Sequence, residues 1–341
     1  MMFKPDISDD TIASNAMDSF GLRIVEATFL PSGDANSAVY RIITGDRARS
    51  LLKLRRADFD EVAVAVPAYL HSLGILGVMA PIATTTKQLS IHTYGFDWML
   101  YPFFEGKNGF ETPLSSTQWI ALGETMRKVH SATLPAELAR RVPRESYSPH
   151  NRMIVKALDI QVERFLFDDP SMERLAAVWT TNRKEIQTVV ERAEQLAEQM
   201  RHRATEFVLC HSDLHAGNVL LGADDKLAIV DWDNPILAAK ERDLMFVGGG
   251  VGGIWKDPRE KEWFYTGYGP AEIDLVAIAF YRYERIVADF AAYGEQIFGM
   301  KGSAEDREEG VRRFMNQFLH VTEIAHKSYS DLLANLVQAY D

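Results

Sequence analysis

The stretch Phe207-Val-Leu-Cys-His-Ser-Asp-Leu-His-Ala-Gly-Asn-Val-Leu-Leu221 constrains this chain more than any other. An apolar, strand-favouring run delivers the backbone into a short polar loop, and a second such run carries it away. The loop holds His211, then Asp213 two residues on, then Asn218 five residues after that. Asp231 follows ten residues past Leu221, in Ile229-Val-Asp-Trp-Asp233. A strand, a loop and a strand would bring Asp213, Asn218 and Asp231 to one end of a small hairpin. A His-x-Asp alone carries little weight, because Asp and Asn also cap ordinary turns. The full combination is much harder to obtain by chance.

These residue types define a chemistry. An Asn carbonyl and an Asp carboxylate are hard oxygen ligands suited to Mg²⁺. A further carboxylate can orient an attacking hydroxyl and take its proton, which is what phosphoryl transfer asks of a protein. The catalytic loop of protein kinases has the same order: His-x-Asp, Asn five residues after the Asp, and a metal-binding Asp on the next strand. Asp213 is therefore the candidate catalytic carboxylate. Asn218 and Asp231 are the candidate metal ligands, with ATP and Mg²⁺ as the expected cofactors.

Around this segment the chain divides in character. Ile24 to Leu30, Ala38 to Ile43 and Ser50 to Leu54 read as strands of an antiparallel meander, punctuated by Pro31-Ser-Gly-Asp34 and Thr44-Gly-Asp-Arg47. Apolar residues from Phe59 to Leu73 repeat at helical spacing, and Pro67 marks either a kink or the helix start. Gln88 to Tyr94 and Trp98 to Phe103 fit two further strands. Beyond Gly106 the pattern turns helical: Ser115 to Ala132, Arg152 to Phe167, Met172 to Arg201, Ala239 to Val247, Ala271 to Phe298 and Glu305 to Tyr340. Pro270 with Glu272 reads as a helix start. The expected fold class is α+β, with a small antiparallel β lobe over residues 1–101, a hinge at 102–106 and a larger helical lobe over 107–341.

Here the sequence resembles a known family. The loop is similar to that of the aminoglycoside phosphotransferases, which share the two-lobed protein-kinase-like fold; their usual His-Gly-Asp becomes His-Ser-Asp, with Ser212 in the glycine position. The stretch Val230-Asp-Trp-Asp-Asn-Pro-Ile-Leu-Ala-Ala-Lys-Glu-Arg-Asp-Leu-Met-Phe-Val-Gly-Gly-Gly250 narrows the likeness to the spectinomycin phosphotransferases, with their Lys-Glu-Arg-Asp-Leu helix and glycine run.

The resemblance implies roles for further residues. Lys53, flanked by leucines in Leu51-Leu-Lys-Leu54, would contact the nucleotide phosphates and pair with an acid on the following helix, for which Glu61 is the nearest candidate. Ser32, Gly33, Asn36 and Ser37 occupy the turn where a phosphate-covering loop belongs. Adenine would bond to backbone near Pro102 and Phe104 in the connector Met99-Leu-Tyr-Pro-Phe-Phe-Glu-Gly106. Asp243 matches a helix-borne Asp that supports the catalytic loop, His211 braces backbone, and Trp232 packs. Asp233 is either metal-proximal or substrate-facing. Trp255 to Gly269 forms a wall or lid over the substrate, or a long surface loop.

Composition adds exclusions. The formal net charge of −11 speaks against general nucleic-acid binding and is compatible with a cationic, polyhydroxylated substrate. The single cysteine, Cys210, excludes an intramolecular disulfide and fits a cytoplasmic protein. No signal core or membrane-spanning run is expected. The functions that remain are phosphorylation of an aminocyclitol antibiotic, spectinomycin first; a metabolic kinase of the same fold acting on choline, homoserine or a sugar; and a silent nucleotide-binding module. The donor is ATP or GTP.

Overall fold

The computed structural model describes residues 4–30, 37–56, 59–249 and 254–338. They form two compact units, and neither is one continuous segment. The first comprises residues 1–143 and 217–235, the second residues 144–216 and 236–341.

The first unit opens with a helix absent from the expectations, α1 (Asp9–Phe20). Ser8 caps it by accepting from the Thr11 amide, and Gly21 ends it in the left-handed conformation that glycine adopts without cost. The expected meander follows as β1 (Ile24–Leu30), β2 (Ser37–Thr44) and β3 (Arg49–Arg55). With β4 (Ile91–Thr93) and β5 (Phe96–Pro102) they make an antiparallel sheet in the order β1-β2-β3-β5-β4. Its inner face alternates Ala38, Tyr40, Ile42 with Leu52, Leu54 and Trp98, Leu100, and packs against Ile12 and Phe20 of α1. Period-two burial of this kind pins the register.

Helix α2 (Val62–Ser72) contains Pro67 in its interior, so the helix does not start there. Helices α3 (Ser116–His130) and α4 (Ala136–Arg141) complete the helical part of this unit. Ser115 caps α3, with a reciprocal bond to Gln118.

The strands around the polar loop part company. The strand before it, β7 (Val208–Cys210), pairs with β10 (Ile236–Ala238) in the second unit. The strand after it, β8 (Val219–Gly222), forms a hairpin with β9 (Leu227–Ile229) in the first unit and also pairs with β6 (Gly106–Asn108). The single hairpin expected from the sequence is thus two sheets. Asn218 and Asp231 do flank one end of the β8–β9 hairpin, where the Val230 amide donates to the Asn218 carbonyl at 2.9 Å.

The second unit is helical. It holds α5 (His150–Arg164), α6 (Pro170–Arg201), α7 (Glu241–Leu244), α8 (Pro258–Tyr268), α9 (Leu275–Phe298), α10 (Ala304–Asn316) and, after one π-helical turn, α11 (Thr322–Gln338). Three expectations are corrected. The expected Ala239 to Val247 helix is reduced to the short α7, with turns on either side. Helix α9 begins at Asp274, whose carboxylate caps the amides of Val276 and Ala277, and not at Pro270 and Glu272. The long surface loop offered as one reading of Trp255 to Gly269 is mostly helix α8, capped by Asp257 with Glu260 and buried at Phe264 and Tyr268. Helix α9 is the unit's centre, and its Phe290 packs with Trp179, Phe314 and Phe318.

Candidate active site

In the first unit, β3 points Lys53 at the end of the β8–β9 hairpin. Its Nζ lies 3.0 Å from Asp231 Oδ1 and 3.0 Å from each carboxylate oxygen of Asp233. Arg55, two residues along the strand and so on the same face, ion-pairs the same Asp233 carboxylate. Burial works against the Lys53 charge, but Asp233 and then Asp231 outweigh it and raise the ammonium pKa. Burial also raises the neighbouring Tyr101 hydroxyl, to about 12.

The expected partner of Lys53 is corrected by this geometry. Glu61 is the exposed residue before α2, and its carboxylate accepts from Arg141 at 2.9 Å. Asp233, which the sequence left undecided, takes the place given to Glu61. A pairing across 180 residues leaves no local periodic signal; the one trace is a second acid two residues after Asp231.

Asp231 sits at φ 64°, in the left-handed region, where Asp is tolerated better than most residues. Trp232 is buried and donates from its indole nitrogen to the Ile229 carbonyl at 3.2 Å, which fixes the turn between the two acids. The Asn218 amide and the Asp231 carboxylate are hard oxygen donors, the donor set that a Mg²⁺ ion takes. Ser37 is buried at the start of β2, whereas Ser32, Gly33 and Asn36 lie outside the described residues. Pro102 ends β5, and the Phe104 ring packs over Gly222, 3.0 Å from where a Cβ there would stand.

In the second unit the loop after β7 is held by its own backbone. Both oxygens of the fully buried Asp243 accept from consecutive amides, His211 at 2.8 Å and Ser212 at 2.7 Å. The buried His211 accepts from the Asp213 amide through Nδ1 at 3.2 Å. Ser212 stands at φ 73°, a conformation glycine adopts freely and serine at a cost.

Asp213 follows, ion-paired through Oδ1 with Arg285 of α9. Its Oδ2 lies 3.6 Å from Nε2 of His215. Burial pushes the Asp213 carboxyl up, but Arg285, His215 and His211 together hold it below the ordinary aspartate value. Arg285 is a residue that sequence reading missed. The available signal was an arginine inside a helix otherwise rich in buried apolar residues.

Residues 26–235 match the sequence profile of the "Phosphotransferase enzyme family". The crystal structure of spectinomycin phosphotransferase APH(9)-Ia with ADP and spectinomycin is 34% identical, covers 95% of this chain and 99% of its own, and superposes with a TM-score of 0.90. The AMP-bound complex of the same enzyme is also 34% identical, covering 94% and 98%, at a TM-score of 0.86. Amicoumacin kinase hAmiN, at 16% identity, covers 94% of each chain with a TM-score of 0.59, a likeness of fold. No curated protein sequence matches. Among the described residues, no helix is long and apolar enough to cross a membrane.

Proposed function

The chain belongs to the phosphotransferase enzyme family, and on that premise we propose that it transfers the γ-phosphoryl group of ATP to a hydroxyl of a small aminocyclitol, spectinomycin first. One observation carries the choice of substrate: the likeness to spectinomycin phosphotransferase runs over nearly the whole of both chains. The net charge of −11 suits a cationic acceptor.

The residues support a direct transfer. Lys53, kept charged and held in place by Asp233, clamps the nucleotide phosphates. The backbone around Pro102 and Phe104 meets the adenine, and Ser37 at the start of β2 adjoins the phosphates. Asp213 orients the acceptor hydroxyl and takes its proton as the oxygen bonds to phosphorus and the bond to the leaving ADP oxygen breaks. Asn218 and Asp231 would hold Mg²⁺, which when bound neutralises charge on the phosphates. Catalysis on this reading comes from positioning and from charge placed in advance.

The test is ADP release measured with spectinomycin, other aminoglycosides, choline and homoserine as acceptors. Release is expected with spectinomycin. In the Asp213→Ala protein it falls by roughly 10²–10⁴-fold, while nucleotide still binds. Release with choline or homoserine alone would replace the antibiotic by a metabolic substrate. No release with any acceptor, despite nucleotide binding, would leave a silent module, and unchanged turnover in Asp213→Ala would remove Asp213 from the chemistry.

A further inference from the structure

We propose that Arg285 is the positioning residue for Asp213, gripping Oδ1 so that the carboxylate is held toward the acceptor hydroxyl in one fixed orientation. The proposal rests on the reading of Asp213 as the catalytic carboxylate. It stands on the geometry of α9 and the loop after β7, both within the second unit.

Helix α9 is the most enclosed helix of that unit, packed by α5, α6, α10 and α11. A guanidinium in such a helix must be bonded to be tolerated. Arg285 is 26% exposed and is bonded on two sides. One amine, Nη1, pairs with Asp213 Oδ1, and Nε lies 3.2 Å from Asp289 Oδ1 and donates to its Oδ2 at 3.4 Å. Asp289 lies one turn further along the same helix, and its Oδ2 also accepts from Gln317 at 3.1 Å. The guanidinium is therefore held from behind by a carboxylate that is itself anchored, and it is aimed at Asp213. A planar fork can serve two carboxylates at once, which a lysine ammonium does less well.

A second arginine on α9 supports the same loop by another route. Arg282, one turn before Arg285, donates to the Met245 carbonyl at 3.1 Å and to Ser328 Oγ at 2.6 Å. Met245 ends α7, the helix whose Asp243 holds the His211 and Ser212 amides. Residues three apart share a helix face. One face of α9 thus steadies both the carboxylate of Asp213 and the clamp on its backbone.

Among the described residues, Asp213 faces the charged and titratable groups of Arg285, with Asp289 behind it, and of the loop's His211 and His215. Arg285 favours the ionised carboxylate. Its removal raises the pH at which Asp213 gains a proton, so the acid limb of kcat/KM moves to higher pH.

The experiment compares the parent enzyme with Arg285→Ala, Arg285→Lys, Asp289→Asn and Asp213→Asn. In Arg285→Ala, kcat is expected to fall by about 10–100-fold, with the KM for ATP within about twofold of the parent and the acid limb moved up. Arg285→Lys recovers part of kcat and returns the limb toward the parent. A parent-like kcat and acid limb in Arg285→Ala would overturn the proposal. So would a Lys variant no better than Ala, because that outcome marks a packing role. Should Arg285→Ala fail to fold, Arg285→Lys and Asp289→Asn carry the test: reduced kcat at unchanged ATP affinity supports the proposal, and parent kcat in both overturns it. An Asp213→Asn protein with parent activity would instead remove the underlying reading of Asp213, so the two failures are distinguishable.

Discussion

At the scale of single residues, Asp243 has the clearest structural task. It is fully buried, and its two oxygens take the amides of His211 and Ser212 just before Asp213. Serine in the left-handed conformation is kept there by bonds of this kind, since strain of this sort persists only where the surroundings enforce it. Replacing Asp243 by Ala leaves two buried donors unmade, at about 1–3 kcal/mol each. We expect Asp243→Ala to lower the urea midpoint markedly and to cut kcat more than it changes ATP binding; an unchanged midpoint would show that the clamp is dispensable. Lys53 and the acids of the Ile229 to Asp233 stretch were legible in the sequence because charge inside an apolar run demands a partner. Which acid met Lys53 was not legible. Proximity along the chain favoured Glu61, while the fold supplied Asp231 and Asp233 from far downstream.

At the scale of elements, the connector between β5 and β6 depends on a glycine. A Cβ on Gly106 would stand 2.1 Å from the Leu221 carbonyl oxygen, a backbone atom of the paired strand β8. Gly106→Ala should therefore push β6 away from the hairpin that carries Asn218 and Asp231. Overpacking of this kind costs typically about 1–3 kcal/mol. The expected readout is a lower thermal midpoint together with a raised KM for ATP, and a parent-like melt would refute the packing argument. Strands β1 to β3 were readable because alternation is a local signal. Helix α1 was missed although Ser8, two acids and Gly21 delimit it, because its apolar face is sparse. The start of α9 was misplaced because a capping Asp outranked a proline four residues upstream. The split between β7 and β8 had no local signal, since pairing partners such as Gly106 and Ile236 lie far from the strands they join.

At the scale of the whole molecule, the chain passes between the two units three times, after residues 143, 216 and 235. The first unit thus lacks its hairpin until residues 217–235 are supplied. A fragment ending at Pro143 would keep the five-stranded sheet but lose β8, β9, Asp231 and Asp233, leaving Lys53 and Arg55 as adjacent cations without those carboxylates. We expect that fragment to melt without a cooperative transition by circular dichroism and to bind no nucleotide; a sharp melt with ATP affinity like the full chain's would contradict this. The same interleaving sets a clock during synthesis. Ribosomes add about 5–20 residues per second, so the roughly 90 residues between Pro143 and Pro235 take about 5–20 s to make. For that interval β6 must wait without its partner β8, its backbone groups open to chaperones or to neighbouring chains.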